Sequence, residues 1–153
     1  MEPKKIGAGI IAIDKKTGDV LLGRRSSHSS SPETWCPFGG THEPLKDSSM
    51  KITAKREFIE ETGLHQEIEY KISKTPFYTQ DSPTLTFYTY IGIFDSKFPV
   101  IIDDEHIDYG WFQLDNLPDT LHPGFEDLLL NKKTELEEII RKILNVTHKI
   151  INK

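Results

Sequence analysis

The chain has 153 residues, 36% of them hydrophobic, which suffices for one core rather than two and hence for one domain over residues 1–153. Its 19 Lys and Arg stand against 24 Asp and Glu, a net charge of −5, which argues against the broad basic footprint of a nucleic-acid binder, so any phosphate-bearing ligand is expected to be small. Cys36 is the only cysteine, which excludes an internal disulfide; "MEPKKIGAGIIAID" is too short and too soon interrupted by charge for a signal peptide or membrane span, so a cytoplasmic setting is expected.

From the N-terminus, "IGAGIIAID" (6–14) and "DVLLGRR" (19–25) are apolar runs joined by a polar connection ending in Gly, the pattern of a β-hairpin. "SSHSSSPET" (26–34) has the Ser and Pro enrichment of an exposed loop and reads as a mobile rim. Residues 49–62 contain neither Pro nor Gly; Ser49 suits the N-cap of a helix and Gly63 its left-handed closing position. "QEIEYKIS" (66–73) alternates Ile68, Tyr70 and Ile72, and "PTLTFYTYIGIF" (83–94) is rich in β-branched and aromatic residues, so both are predicted strands. "FPVII" (98–102) and "YGWFQL" (109–114) are predicted as short strands around the acidic turn "DDEHID". "GFEDLLL" (124–130) is predicted as a short helix ending near Asn131. It precedes a long amphipathic helix with Leu136, Ile139, Ile140, Ile143 and Leu144 on one stripe, for packing on the sheet or for a homodimer.

In the helix over 49–62, Glu57, Glu60 and Glu61 fall on one arc roughly 100° wide, because a 3.6-residue turn brings i, i+3 and i+4 together. Like charges at that spacing repel, so a cation belongs above them. Oxygen donors select Mg²⁺ or Mn²⁺ rather than zinc, and Mg²⁺ is commonly completed by substrate phosphates. The same arc also reads as a solvated face bridged to Arg56, Lys55 or Lys51. Before the helix stands "PFGG", whose consecutive glycines allow a sharp turn and a carbonyl close to an ion.

Together these segments resemble the signature of the Nudix hydrolases, G-x5-E-x7-R-E-U-x-E-E-x-G-U with U apolar. "REFIEETGL" (56–64) matches its second half at every fixed position, and "VLLGRR" before the box and "GWFQLDNLP" after it suit the family's layout. The resemblance implies an α/β fold, an α/β/α sandwich with a mixed central sheet. It also implies Mg²⁺- or Mn²⁺-dependent hydrolysis of a nucleoside diphosphate linked to another moiety, with a small nucleotide as partner. By that likeness Glu57 and Glu61 are the main metal ligands, Glu60 is a direct or water-mediated one, and Gly40, or Gly39 beside it, offers a carbonyl. Arg56 holds the glutamates through salt bridges.

The front half departs from the signature. Counting from Gly40, position 46 is Lys where the pattern has Glu, and Arg56 comes sixteen residues on where the pattern has fourteen. Glu43 and Asp47 are the candidate substitutes for the missing acid. Outside the box, Glu105 is the candidate for base or extra ligand, and His106 is the rival base by likeness to the GDP-mannose hydrolase branch. Arg25, and less directly Arg24, are candidates for the substrate phosphates. Tyr78, Phe77 and Phe87 could stack a base but are expected in the core, Cys36 is expected to pack, and His28, His42, His65, His122 and His148 are expected at the surface. A nucleotide-sensing module that keeps the fold without turnover is the rival of an enzyme.

Overall fold

A computed structural model describes the backbone of residues 3–151 and the side chains of residues 3–146. The first predicted strand forms as β1 (Lys5–Asp14) and returns through β2 (Val20–Arg25), antiparallel with Ile13 opposite Val20. Short strands β3 (Trp35–Cys36) and β4 (Phe38–Thr41) follow, then helix α1 (Met50–Thr62), β5 (Tyr70–Ile72), β6 (Tyr78–Asp81), β7 (Leu85–Phe94), β8 (His106–Phe112) and helix α2 (Pro123–Ile151). The main sheet order is β3-β2-β1-β7-β5, with β4 pairing β1, β6 pairing β7 and β8 pairing β2. β1 and β7 are parallel from Lys5 opposite Leu85 to Asp14 opposite Phe94, and the other pairings are antiparallel, so the sheet is mixed.

Successive side chains of a strand point to opposite faces. Ala8, Ile10 and Ala12 of β1 therefore meet α1 through Ala54 and Phe58, while Ile11 and Ile13 meet α2 through Phe125, Leu128 and Leu136. A strand covered on both faces needs an unbroken apolar run, which is what "GAGIIAI" supplies. The result is the expected α/β/α sandwich.

Helix α1 begins and ends where its caps stand. Ser49 accepts the Ile52 N–H on its side chain, and Gly63, at φ 64°, donates its N–H to the Ile59 carbonyl. Phe58 is wholly buried among Phe38, Phe94 and Phe98. Burying such a ring contributes about 1.5–3 kcal/mol. It also sets the helix rotation that sends Glu57 and Glu61 inward.

Three predicted elements form differently. "FPVII" is irregular: Phe98 and Val100 plug into the α1-side core as single anchors, and Pro99 has no N–H for a ladder. The expected break near Asn131 is absent and α2 runs continuously from Pro123. Nothing after Gly124 interrupts it, and the Asn131 amide is held by the Asp127 carbonyl at 2.8 Å, one turn back in the helix, and by the Tyr78 hydroxyl at 3.1 Å. Its apolar stripe packs on the sheet, with Leu136 buried and Ile139, Ile140 and Ile143 against the same core. Finally, β8 starts at His106, so the acidic turn closes earlier than predicted. Among the described residues no helix is long and apolar enough to cross a membrane.

Candidate active site

Arg56 joins the segments that the sequence left unconnected. Its Nε donates to Asp47 Oδ1 at 2.8 Å and its Nη2 to Asp47 Oδ2 at 2.9 Å, the two parallel bonds of a guanidinium on a carboxylate. Nη2 also reaches the Thr41 carbonyl at 2.9 Å, and Nη1 reaches Glu57 at 3.1 Å and Glu60 at 3.2 Å. Asp47 is wholly buried and further accepts the Glu43 N–H and the Thr53 hydroxyl, each at 2.9 Å. Arg56, first among these partners, holds its carboxyl well below the usual carboxylate range. Glu43 stays 3.8 Å from Arg56 and pairs with the exposed Lys46 at 3.2 Å. Of the two candidate substitutes, Asp47 therefore faces the arginine directly, and the lengthened spacer is taken up in the turn from Glu43 to Asp47.

The glycine pair does not turn. Gly39 and Gly40 lie in β4 opposite Gly9 and Ala8, and neither has positive φ. What they supply is closeness. A Cβ on Gly40 would collide with the Glu57 carboxylate, and one on Gly39 would press on the β1 backbone, 2.6 Å from the Ala8 carbonyl oxygen. The Gly39 N–H donates to Glu61 Oε1 at 2.8 Å. In a strand the N–H and C=O of one residue point to the same edge, so Gly39 also turns its carbonyl toward α1. The Gly40 carbonyl lies toward β1, near Gly7. Between the two glycines, the carbonyl on the carboxylate side is thus that of Gly39.

Glu57, Glu60 and Glu61 stand in the last two turns of α1, where the helix dipole is already negative. Glu61 is almost wholly buried. Burial, and then the charges of Glu57, Asp103 and Glu105, push it up to about 9 against the opposing Gly39 N–H. Burial raises Glu57 as well, with Arg56 opposing. Glu60 is half exposed and held by Arg56. Buried Glu61 and partly covered Glu57, converging beside a backbone carbonyl, fit a hard divalent cation, which would restore their ionised form. On this basis Gly40→Ala is expected to displace the Glu57 carboxylate and weaken Mn²⁺ binding about 10-fold or more, with the fold kept, as read by isothermal titration and circular dichroism.

The loop before β8 closes the site from the far side. His106 Nδ1 lies 2.8 Å from Asp103 Oδ1, and His106 Nε2 lies 3.7 Å from Glu61 Oε2. Glu105 is exposed and near enough to raise both inner glutamates. Beside this cluster opens a cavity of about 1050 Å³ whose lining includes Gly39, Gly40, Glu61, His106, Phe87 and Gln80. Arg25 lines it too, steadied by the Ser30 carbonyl at 2.8 Å, whereas Arg24 is turned to Glu33. A register shift of the β2–β8 ladder between these two arginines separates them.

Several residues differ from expectation. Asp103, part of the predicted acidic turn and not among the expected site residues, orients His106; its i, i+3 spacing to that histidine was the available signal. His122 is half-buried in the cavity wall, where its Nδ1 accepts the Gly124 N–H at the start of α2 and burial lowers its pKa. His42 is also half-buried, against Thr53. His28 and His65 are exposed as expected, and the side chain of His148 lies outside the described residues. Tyr78 and Phe87 line the cavity while Phe77 packs in the α2-side core. Cys36 reaches the cavity wall, its thiol pushed up to about 11 by burial, so it is no ready nucleophile.

Similar folds exist among solved structures. A Nudix hydrolase from M. smegmatis, RenU, superposes with TM-score 0.71 at 21% identity, covering 94% of this chain and 89% of that one. A MutT protein from Methanosarcina mazei Go1 gives TM-score 0.65 at 25% identity over 88% and 96% of the two chains. A C. elegans Ap4A hydrolase gives 0.62 at 20% identity over 94% and 98%. No curated protein matches by sequence. Residues 3–131 match the NUDIX domain family, and with that span, the box half "REFIEETGL" and the sandwich that aims it, the chain belongs to the NUDIX family.

Proposed function

We propose that this Nudix hydrolase binds Mg²⁺ or Mn²⁺ and cleaves a phosphoanhydride bond of a nucleoside diphosphate linked to another group. The observation that carries the reading is the pairing of buried Glu61 with the partly covered Glu57 against β4, where Glu61 lines a nucleotide-sized cavity whose wall bears Arg25. Glu57, Glu61 and the Gly39 carbonyl would hold the ion, with Glu60 adding charge beside them. Arg56 holds this set to the Thr41 carbonyl and to Asp47. A divalent ion so held supplies Lewis acidity toward phosphate oxygens and a source of hydroxide near neutral pH.

Arg25 presents a planar fork to the phosphates. Glu105, exposed over the carboxylates, takes the proton of the attacking water. The water oxygen bonds to phosphorus as the bridging P–O bond breaks, and the leaving phosphate departs with the electron pair. Nucleoside triphosphates, ADP-ribose, dinucleoside polyphosphates and nucleotide sugars all offer this bond. The side chains that line the cavity decide among them.

A second reading, attack at the sugar carbon of a nucleotide sugar with His106 as base, is favoured by the Asp103 contact that leaves His106 Nε2 facing the site. Hydrolysis in ¹⁸O-labelled water separates the two. Label in a phosphate product, with turnover reduced about 10²-fold or more by Glu105→Gln, is the expected result. Label on the sugar would overturn it. Stabilisation by nucleotides without any product across the four substrate classes would instead favour a sensing module.

A further inference from the structure

We infer that the cation site has a nitrogen ligand, His106 Nε2, paired with Glu61 Oε2, making it a mixed imidazole–carboxylate centre that prefers Mn²⁺ over Mg²⁺. The inference rests on the reading of Glu61 as a metal ligand.

The tautomer is set by Asp103. A carboxylate oxygen accepts, so the 2.8 Å contact with Asp103 Oδ1 selects the tautomer of the neutral ring with its proton on Nδ1 and its lone pair on Nε2. That lone pair meets another. Glu61 Oε1 is taken by the Gly39 N–H, so Oε2 is the free oxygen, and it stands 3.7 Å from Nε2 with both side chains 5% exposed. The separation is too long for a hydrogen bond, and none reaches Nε2 from the described residues. Once a cation displaces the proton that burial leaves on Glu61, two electron-pair donors face each other where water is largely excluded. Ligands about 2.2 Å from a shared ion stand about 3.1–3.6 Å apart at octahedral to tetrahedral angles, close to the gap between these two atoms.

The surroundings hold the ring in that position. Phe38 packs on it at 4.7 Å between centroids, and a Cβ on Gly23 would come within 2.9 Å of the imidazole Cδ2, so β2 leaves a slot of the ring's thickness. Glu61, Asp103 and His106 each bring one ligand atom within 4.8 Å of the others. Asp103 behind His106 is the carboxylate partner that fixes and strengthens a ligating imidazole. Mg²⁺ takes hard oxygen donors, whereas imidazole nitrogen suits first-row transition ions. A ligated Nε2 has no lone pair left for general-base work, so this assignment also opposes attack at the sugar carbon by His106.

Pulsed electron paramagnetic resonance on the wild-type chain with Mn²⁺ alone decides the matter without a variant. A ¹⁴N coupling of directly bound imidazole is expected. His106→Gln should abolish that coupling and weaken Mn²⁺ about 10–100-fold while Mg²⁺ affinity, read by competition, changes less than about 3-fold. Bound Mn²⁺ without nitrogen coupling would overturn the inference and leave the oxygen-ligand reading standing. Failure of Mn²⁺ and Mg²⁺ alike to bind would overturn both.

Discussion

Glu61→Gln is expected to lower turnover about 10³-fold or more and to remove the response to divalent ions, since loss of Lewis-acid stabilisation costs several kcal/mol of barrier at about 1.4 kcal/mol per decade. The amide preserves the acceptor for the Gly39 N–H and nearly the same volume, so the fold should survive. Metal-free stability supplies a second readout. Glu61 is raised from an ordinary 4.5 to about 9, so the folded state holds a proton that the unfolded state gives up between those values. Its contribution is full below about pH 4.5 and is lost as pH rises through about 9. In chelator, thermal melts of the wild-type chain should therefore fall from pH 6 to pH 9, added Mn²⁺ should restore the alkaline value, and the Gln variant should flatten this part of the slope. A variant that keeps full turnover, or its cation response, would remove Glu61 from the centre.

Asp47→Ala should be the most destabilising single change in the box, lowering Tm by roughly 10 °C, because it leaves the Arg56 guanidinium without its buried bidentate partner. Arg56 would then be free to swing toward Glu57 and Glu60, loosening its hold on Thr41, so cation affinity should fall as well. Glu43→Gln is the control: its carboxylate is half exposed and already shared with Lys46, and a change of less than about 2 °C is expected. Asp47→Asn tests the charge itself. Asp47 is depressed by Arg56, so its stabilisation is present above the unfolded pKa of about 4 and is lost on acidification; Asn should flatten the acid limb of a Tm–pH curve. Equal effects at positions 43 and 47 would refute the assignment of Asp47 as the replacement for the missing glutamate.

These two experiments probe opposite kinds of information. The intact half of the box was legible because it is local: one helix, its caps at Ser49 and Gly63, and carboxylates at i, i+3 and i+4 all lie within a few turns. The apolar run of β1 was legible for the same reason, since a strand covered on both faces declares itself residue by residue. The resemblance to the family rested on such segments. Periodicity placed three glutamates on one arc, but it could not say that Phe58 would rotate the helix so that Glu57 and Glu61 turn inward while Glu60 stays half exposed.

What only the tertiary structure decided involves segments distant in the chain. Asp47 rather than Glu43 meets Arg56 because the lengthened spacer folds into a turn that buries one acid and exposes the other. The Gly39 carbonyl rather than that of Gly40 turns to the carboxylate side because β4 pairs with β1 in one register and not the next. Arg25 rather than Arg24 reaches the cavity, His122 enters its wall, and His106 comes to rest against Glu61 with Asp103 behind it. Sequence carries helix phase, caps and apolar runs because these depend on neighbours. Which donors converge depends on strand register and on the exclusion of water by a shared core, and both exist only once the whole sheet has closed.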